Sequence, residues 1–107
     1  MTASIVYVTT ANREEALEIG RTLVNERRAA CVNVLDGMTS VYRWQGEIEE
    51  AAEAVLIVKT RSELIDPLIA RIRSLHSYSC PCIVSWPIAA GNEKYLQWIV
   101  DETDPPD

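Results

Sequence analysis

The stretch from Cys31 to Thr60 restricts the fold more than any other part of this 107-residue chain. It contains two runs rich in valine, isoleucine, threonine and tyrosine, which favour pleated strands, on either side of Gln45-Gly46. We therefore predict a long antiparallel hairpin that turns at Gln45-Gly46. Asp36-Gly37 lies inside the first strand, where the pair indicates a bulge rather than a second reversal.

Each predicted strand runs to about a dozen residues, which is about twice the usual length. A domain of this size cannot cover such a ribbon with its own helices, so Tyr42 and Trp44 near the tip would be left in water. Long uncovered strand edges are normally blunted or paired. We therefore predict that further copies of the chain cover the hairpin. The alternative is a mobile hairpin with two exposed aromatic rings.

The charge balance argues against a nucleic-acid partner, which needs a basic face, because the formal net charge is -6. We interpret both acidic clusters as solvated surface; they are Glu14, Glu15 and Glu18, and Glu47, Glu49, Glu50 and Glu53. The chain has no phenylalanine, so the bulk of the core must come from isoleucine, leucine, valine and three tryptophans.

The sequence predicts neither a membrane span nor a secretory signal. No apolar run approaches the roughly 20 residues that cross a bilayer. The first residues, Met1-Thr2-Ala3-Ser4, lack the basic start of a signal peptide. We expect a cytoplasmic protein whose three cysteines, an odd number, are mostly reduced.

The first part of the chain predicts a buried strand over residues 4–10 followed by a helix. Asn12 and Glu15 resemble a capping box at the start of that helix. Gly20 falls on the apolar stripe of the helix, which indicates a close helix-to-sheet contact. Arg27-Arg28 is predicted in the last turn, where cations complement the helix dipole.

The second part predicts a helix capped by Asp66 with Pro67 at its first position. A strand over residues 82–86 ends at Pro87, which favours an edge position. A last helix is expected from Asn92 through Val100. Residues 104–107 are predicted to form a disordered tail after a single domain of residues 1–103.

The predicted order matches an α+β, ferredoxin-like βαββαβ sandwich with an extended central hairpin and a C-terminal helix. Right-handed crossovers place the two crossover helices on one face of the sheet, which leaves the other face bare. A bare face together with a long hairpin predicts a closed assembly of cyclic symmetry.

The densest polar cluster spans residues 76–82 and contains His76, the only histidine, with Cys80 and Cys82. Imidazole and thiolate are good ligands for copper and zinc. In an extended stretch Cys80 and Cys82 point to the same side, so both sulfurs can reach one ion, with Cu(I) as the best fit. The alternative is that His76 satisfies carbonyls at a helix end, while the cysteines are small buried hydrophobic residues.

The sequence gives little support to an enzyme. A cysteine activated by His76 would need an orienting acid and an oxyanion hole, and neither is identifiable. The chain has no GxSxG, P-loop, GxGxxG or HExxH motif. Lys59, at the end of an apolar run, would either bind an anion or extend to water. We expect no catalytic activity.

Several separate segments together resemble the CutA divalent-cation-tolerance family: residues 29–34 (AACVNV), 40–48 (SVYRWQGEI), 57–61 (IVKTR), 76–78 (HSY) and 91–98 (GNEKYLQW). The resemblance implies a ferredoxin-like subunit and a homotrimer similar to the PII signalling proteins, with interlocked hairpins. It also implies tolerance or binding of divalent metal ions, above all copper. It implies no firmly assigned reaction.

The resemblance also implies site residues. Cys31 matches the cysteine of an Ala-Cys-Val-Asn motif that is a proposed copper ligand, and His76 and Tyr78 match a stretch beside an intersubunit cleft. Further cleft positions are matched by Trp44, Lys59, Tyr95 and Trp98. Ser77, Ser79 and Cys82 replace the proline and two glutamates of the family's His-Pro-Tyr-Glu-x-Pro-Glu stretch. The lost carboxylates disfavour hard cations, while copper remains favoured.

We therefore expect a cytoplasmic homotrimer that binds copper or a related divalent ion at an intersubunit cleft. The expected metal ligands are His76 and one or more of Cys31, Cys80 and Cys82. The alternatives are a signalling-type module that binds a small anion or metabolite through Lys59 and aromatic walls, and a structural trimer without a ligand.

Overall fold

The computed structural model describes residues 2–104 and has a mixed α+β architecture with one antiparallel sheet. The predicted order of strands and helices is confirmed. The elements are β1 (Ala3–Thr10), α1 (Arg13–Asn25), β2 (Cys31–Trp44), β3 (Glu47–Arg61), α2 (Ile65–Leu75), β4 (Ile83–Pro87) and α3 (Glu93–Asp101). The strands lie in the order β2-β3-β1-β4, so β4 occupies an edge, as Pro87 indicated.

The hairpin of β2 and β3 has the turn and the bulge that the sequence predicts. Gln45 and Gly46 both have positive φ, 49° and 83°, as a two-residue type I′ turn requires. Between the pairs Leu35↔Val55 and Met38↔Glu53, β2 advances three residues while β3 advances two. The extra residue at Asp36-Gly37 is a bulge, and Gly37 takes a φ of 76° there.

The two faces of the sheet have different surroundings. Its inner face packs against α1 and α2; the core is formed by Val6, Val8, Ala16, Ile19, Leu23, Ala29, Ala54, Leu56, Val58, Leu68 and Ile72. The outer face carries the alternate residues, among them Tyr7 and Ile57. There α3 packs at one end, where the buried Arg61 donates to the carbonyl of Val100 at 2.6 Å. Elsewhere on this face Leu35 and Trp86 remain 57% and 46% exposed.

The start of α1 agrees with the sequence, and its end does not. The Asn12 side chain accepts a hydrogen bond from the Glu15 amide at 2.8 Å, which caps the helix. The helix ends at Asn25, so the prediction that Arg27 lies in its last turn is wrong. Arg27 instead has a φ of 59° and pairs with the Asp104 carboxylate at 2.8 Å. Of the predicted tail, residues 105–107 lie outside the described residues.

The start of α2 also differs from the prediction. A 3-10 turn, Ser62–Leu64, leads directly into the helix, whose N-cap is Leu64 and not Asp66. Pro67 is therefore the third helical residue, a position where the missing N–H has no partner in the helix. The last helix follows the prediction closely, because the Asn92 side chain caps it by accepting from the Lys94 amide. Within residues 2–104, no helix combines the length and apolar character needed to span a membrane.

Candidate functional site

A cleft of about 530 Å³ lies between the outer half of the hairpin and the loop that joins α2 to β4. Its strand wall is formed by Thr9, Ser40, Val41, Tyr42, Trp44 and Glu53, and its loop wall by Tyr78, Ser79, Cys80 and Cys82. The fold thus brings the polar cluster of residues 76–82 against the aromatic tip of the hairpin. This cleft is the candidate functional site.

The bulge determines which side chains of β2 reach the cleft. Before it, Leu35 shares the outer face with Val55; after it, Met38 shares that face with Glu53. The outer face therefore carries odd-numbered residues of β2 before the bulge and even-numbered residues after it. Tyr42 and Trp44 lie on the same face as Glu53 for this reason.

His76 caps the end of α2, and both nitrogens of its ring are bound to the backbone. Nε2 lies 2.8 Å from the carbonyl oxygen of Thr9, and Nδ1 accepts the amide hydrogen of Tyr78 at 3.1 Å. A carbonyl oxygen can only accept and an amide N–H can only donate, so in this arrangement Nε2 carries a hydrogen and Nδ1 offers its lone pair. No lone pair of the imidazole is left for a metal ion while both bonds persist.

Tyr78 connects the loop to β3. Its hydroxyl donates to Oε2 of Glu53 at 2.7 Å, and its ring centroid lies 4.8 Å from that of His76. Burial, followed by the hydrogen bond to the Glu53 carboxylate, raises the pKa of Tyr78 well above its usual range. The phenol therefore stays protonated and acts as a donor, which anchors the loop wall of the cleft.

Glu15 fixes the start of the same loop, next to Tyr78. Its Oε2 accepts the Ser77 amide hydrogen and its Oε1 accepts the Ala11 amide hydrogen, each at 2.9 Å. Burial acts to raise the pKa of Glu15, but hydrogen bonds from Ser77 and Ala11 outweigh it and the pKa is lowered. Glu15 is therefore an ionised acceptor at neutral pH.

The interpretation of both acidic clusters as solvated surface is thus wrong for Glu15 and Glu53. Each carboxylate holds the loop that carries the predicted ligands. For Glu15 the available signal was its position in the predicted capping box, which places its carboxylate at the start of α1, where it can accept backbone hydrogen bonds. For Glu53 the signal was strand alternation, which places it on the outer face together with Val55.

Cys80 and Cys82 are free, solvent-exposed thiols that line the same cleft. They are separated by Pro81 and lie outside regular secondary structure. The chain bends at Cys80, and Pro81 disfavours the helical conformation of that residue. The alternative of two buried apolar cysteines is excluded by their exposure.

Cys31 lies far from these thiols within one subunit. Cys31 on β2 is paired with Lys59 on β3, which is paired with Ile5 on β1. The Cys82 carbonyl accepts from the amide of Thr9, four residues further along β1 and on the side of β1 away from β3. Four residues of strand rise and three strand spacings amount to about 20 Å. Cys31 can share an ion with Cys80 or Cys82 only if another subunit supplies it.

The remaining predicted cleft residues form two groups. Trp44 and Tyr78 line the cleft, whereas Lys59, Tyr95 and Trp98 form a cluster at the other end of the outer face. There the Lys59 ammonium donates to the Tyr95 hydroxyl at 3.3 Å and lies 5.5 Å from the centre of that ring. The Tyr95 and Trp98 rings stack with centroids 5.5 Å apart. Six residues of β3 separate Lys59 from Glu53, which is about 20 Å.

The donor set of one subunit suits few metal ions. Among residues 2–104, no three histidine, cysteine or acidic side chains are placed to hold a metal ion together. Tetrahedral zinc and oxygen-loving cations need more ligands than this. Two exposed thiols suit a soft ion of low coordination number.

Comparison with solved structures gives close matches over almost the whole chain. The Cut A1 divalent cation tolerance protein from Thermus thermophilus superposes with a TM-score of 0.92 at 45% identity, covering 95% of this chain and 99% of that one. CutA1 from Oryza sativa superposes with a TM-score of 0.95 at 38% identity, covering 99% and 97%.

Sequence comparison gives the same result. The divalent-cation tolerance protein CutA of Thermus thermophilus is 46% identical over 99 residues, which are 92% of this chain and 96% of that protein. Chloroplastic CutA of Arabidopsis thaliana is 40% identical over 92% of this chain, which spans only 54% of the plant protein. The profile of the family described as CutA1 divalent ion tolerance protein matches residues 4–102. The chain belongs to the CutA1 divalent ion tolerance protein family.

Proposed function

We propose that this chain acts in divalent-cation tolerance as a homotrimer that binds copper or a related ion in a cleft between subunits. The observation that carries the proposal is that exposed apolar side chains on the outer half of the hairpin, residues 38–53, lie beside a cleft lined by two thiols. We call this outer half the arm. Val41 and Ile48 are 62% and 67% exposed, and Trp44 is 45% exposed. Cys80 and Cys82 line the cleft between this arm and the loop that joins α2 to β4.

The arm supports the trimer because one subunit leaves it uncovered. The chain measures 44 × 26 × 22 Å, an elongated shape for its size. Contiguous exposed apolar side chains on a strand pair mark an interaction surface. A cyclic assembly of ferredoxin-like subunits, similar to the PII signalling proteins, would cover the arm and the open outer face together.

The thiols support copper rather than a hard cation. Softer ligands favour copper, while calcium and magnesium need several oxygen ligands. Relatives of this chain carry the name divalent-cation tolerance protein, and the thiols give this chain a means to bind such an ion. Reduced thiols also agree with a cytoplasmic location, which we propose.

We infer binding rather than catalysis from the state of His76. Its Nε2–H is donated to Thr9 and its Nδ1 lone pair is used by Tyr78. A general base must offer a lone pair to the nucleophile that it activates. His76 is committed to the backbone and does not meet this need.

Two measurements test the proposal. Native mass spectrometry at micromolar concentration should give a trimer, and a stable monomer would remove the assembly. Titration of copper into reduced protein should give saturable binding, and elemental analysis of protein from its own cells should find the ion. Trimers without either signal would favour a structural role.

A second function is favoured by the cluster of Lys59, Tyr95 and Trp98. The half-buried Lys59 beside two stacked rings can hold a small anion or a metabolite. A ligand that binds only the native state raises the melting temperature. A metabolite that stabilises the protein in the presence of a metal chelator, with the effect lost in Lys59→Met, would support this function over copper binding.

A further inference from the structure

We propose that Cys80 and Cys82 together form a two-thiolate site for a soft, singly charged cation, represented by Cu(I), and that His76 is not a ligand. The inference deepens the proposed function and rests on it, because it names the ligand atoms and the class of ion. Within one subunit it also separates this site from Cys31, which lies about 20 Å away.

Exposure and placement make the two thiols available to one ion. Both are free and exposed, and both line the same cleft. The two residues are separated only by Pro81, so their Cα atoms are at most about 7 Å apart. Pro81 fixes its own φ and disfavours helix at Cys80, which limits the backbone freedom that is lost when both sulfurs bind one ion.

The hydrogen bonds of His76 keep the imidazole out of the ligand set. Binding through Nδ1 would release the Tyr78 amide, and binding through Nε2 would release the Thr9 carbonyl. Each of these backbone groups is part of a partly buried contact, and leaving one without a partner is unfavourable. The ring acts instead by holding the start of the loop that carries the thiols.

The carboxylate that lines the cleft already uses one of its oxygens to hold the loop. Glu53 lines the cleft, but its Oε2 accepts the Tyr78 hydroxyl at 2.7 Å. Within residues 2–104, no third histidine, cysteine or acidic group joins the two thiols in a metal-binding arrangement. Two sulfurs alone satisfy Cu(I), which accepts linear coordination, and leave zinc and manganese under-coordinated.

Binding is a proton exchange without a redox step. Cys80 and Cys82 each release one proton to solvent, two Cu–S bonds form, and copper enters and remains as Cu(I). Because ligands must be deprotonated, the affinity should rise with pH. The complex carries a net charge of −1 on the two thiolates and the ion.

The test is an anaerobic competition of the full-length, reduced protein with a chromophoric Cu(I) chelator. The variants Cys80→Ser and Cys82→Ser remove one thiol each, and Cys31→Ser is the matched control. We expect about one Cu(I) per chain in the unchanged protein and in the control. Each of the other variants should lose at least about 100-fold in affinity, since even outer-shell changes cost 10–100-fold.

Three results would overturn the inference. Unchanged affinity in Cys80→Ser and Cys82→Ser, with copper still bound, would place the site elsewhere and leave the proposed function standing. A comparable loss in Cys31→Ser would show a different ligand set. Absence of both Cu(I) and Cu(II) binding by the unchanged protein would remove the inference and the copper-binding function together. Circular dichroism of each variant shows that a loss of affinity is not a loss of fold.

Discussion

The substitution Gly20→Ala should destabilise the protein although alanine is the better helix former. A Cβ atom at this position in α1 would lie 2.8 Å from Cγ2 of Val32 and 3.3 Å from Cδ1 of Leu56. Val32 is β-branched and has few rotamers, and its strand is held by pairing with Val58, so the methyl group has little room to move. The gain in helix propensity is about 1 kcal/mol. Overpacking costs about 1–3 kcal/mol.

The net loss in the free energy of unfolding is therefore about 1 kcal/mol, which corresponds to a fall in melting temperature of about 4–8 °C. Thermal denaturation should be compared at equal protein concentration, because assembly contributes to stability. Gly20→Ala in a Val32→Ala background is the control, where the added methyl group has space and should stabilise. If Gly20→Ala raises the stability of the otherwise unchanged protein, the close helix-to-sheet contact does not constrain the fold.

Arg61→Met should lower the free energy of unfolding by about 1–3 kcal/mol, because the Thr103 carbonyl loses the buried Arg61 guanidinium as its donor; chemical denaturation with a change below about 0.5 kcal/mol would contradict this. The hydrogen bond from Arg71, followed by that from Arg28, lowers the pKa of Glu26 to about 2 from 4.5. The stability that this pairing adds is therefore present above pH 4.5 and is lost as the pH falls towards 2. Glu26→Gln should flatten the dependence of melting temperature on pH in that window, and an unchanged slope would refute the pairing. Ile48→Asp, on the exposed arm, should shift native mass spectra from trimer to monomer while circular dichroism stays unchanged, and an intact trimer would place the interface elsewhere.

Local chemistry made much of the fold predictable from the sequence. Gln45-Gly46 favoured a two-residue turn, Asp36-Gly37 a bulge, and Asn12 a helix cap, and the structure confirms all three. Each prediction depended on the conformational preference of a few adjacent residues. The prediction for the start of α2 was wrong because a helix tolerates proline at any position in its first turn, so Pro67 alone did not identify the N-cap.

The site was less predictable because its contacts join residues far apart in the chain. Glu53 and Tyr78 are 25 residues apart, and nothing local to either one indicates their hydrogen bond. The resemblance grouped Lys59 with Trp44, yet the register of the sheet places them at opposite ends of one subunit. Only the pairing of strands fixes such distances. His76 was predicted as a ligand from its residue type, while its two backbone partners decide whether a lone pair is available.

The bulge in β2 gives the hairpin a tolerance to shortening that its other positions lack. Removal of Asp36 or Gly37 would leave three residues of one strand matched to three of the other from Leu35 to Met38, and every later partner would be kept. Removal of a residue between Met38 and Trp44 would instead turn the side chains on one side of the cut to the opposite face. Chains of this family that are one residue shorter in the hairpin should therefore have lost it at the bulge, with their aromatic tip still turned towards the cleft.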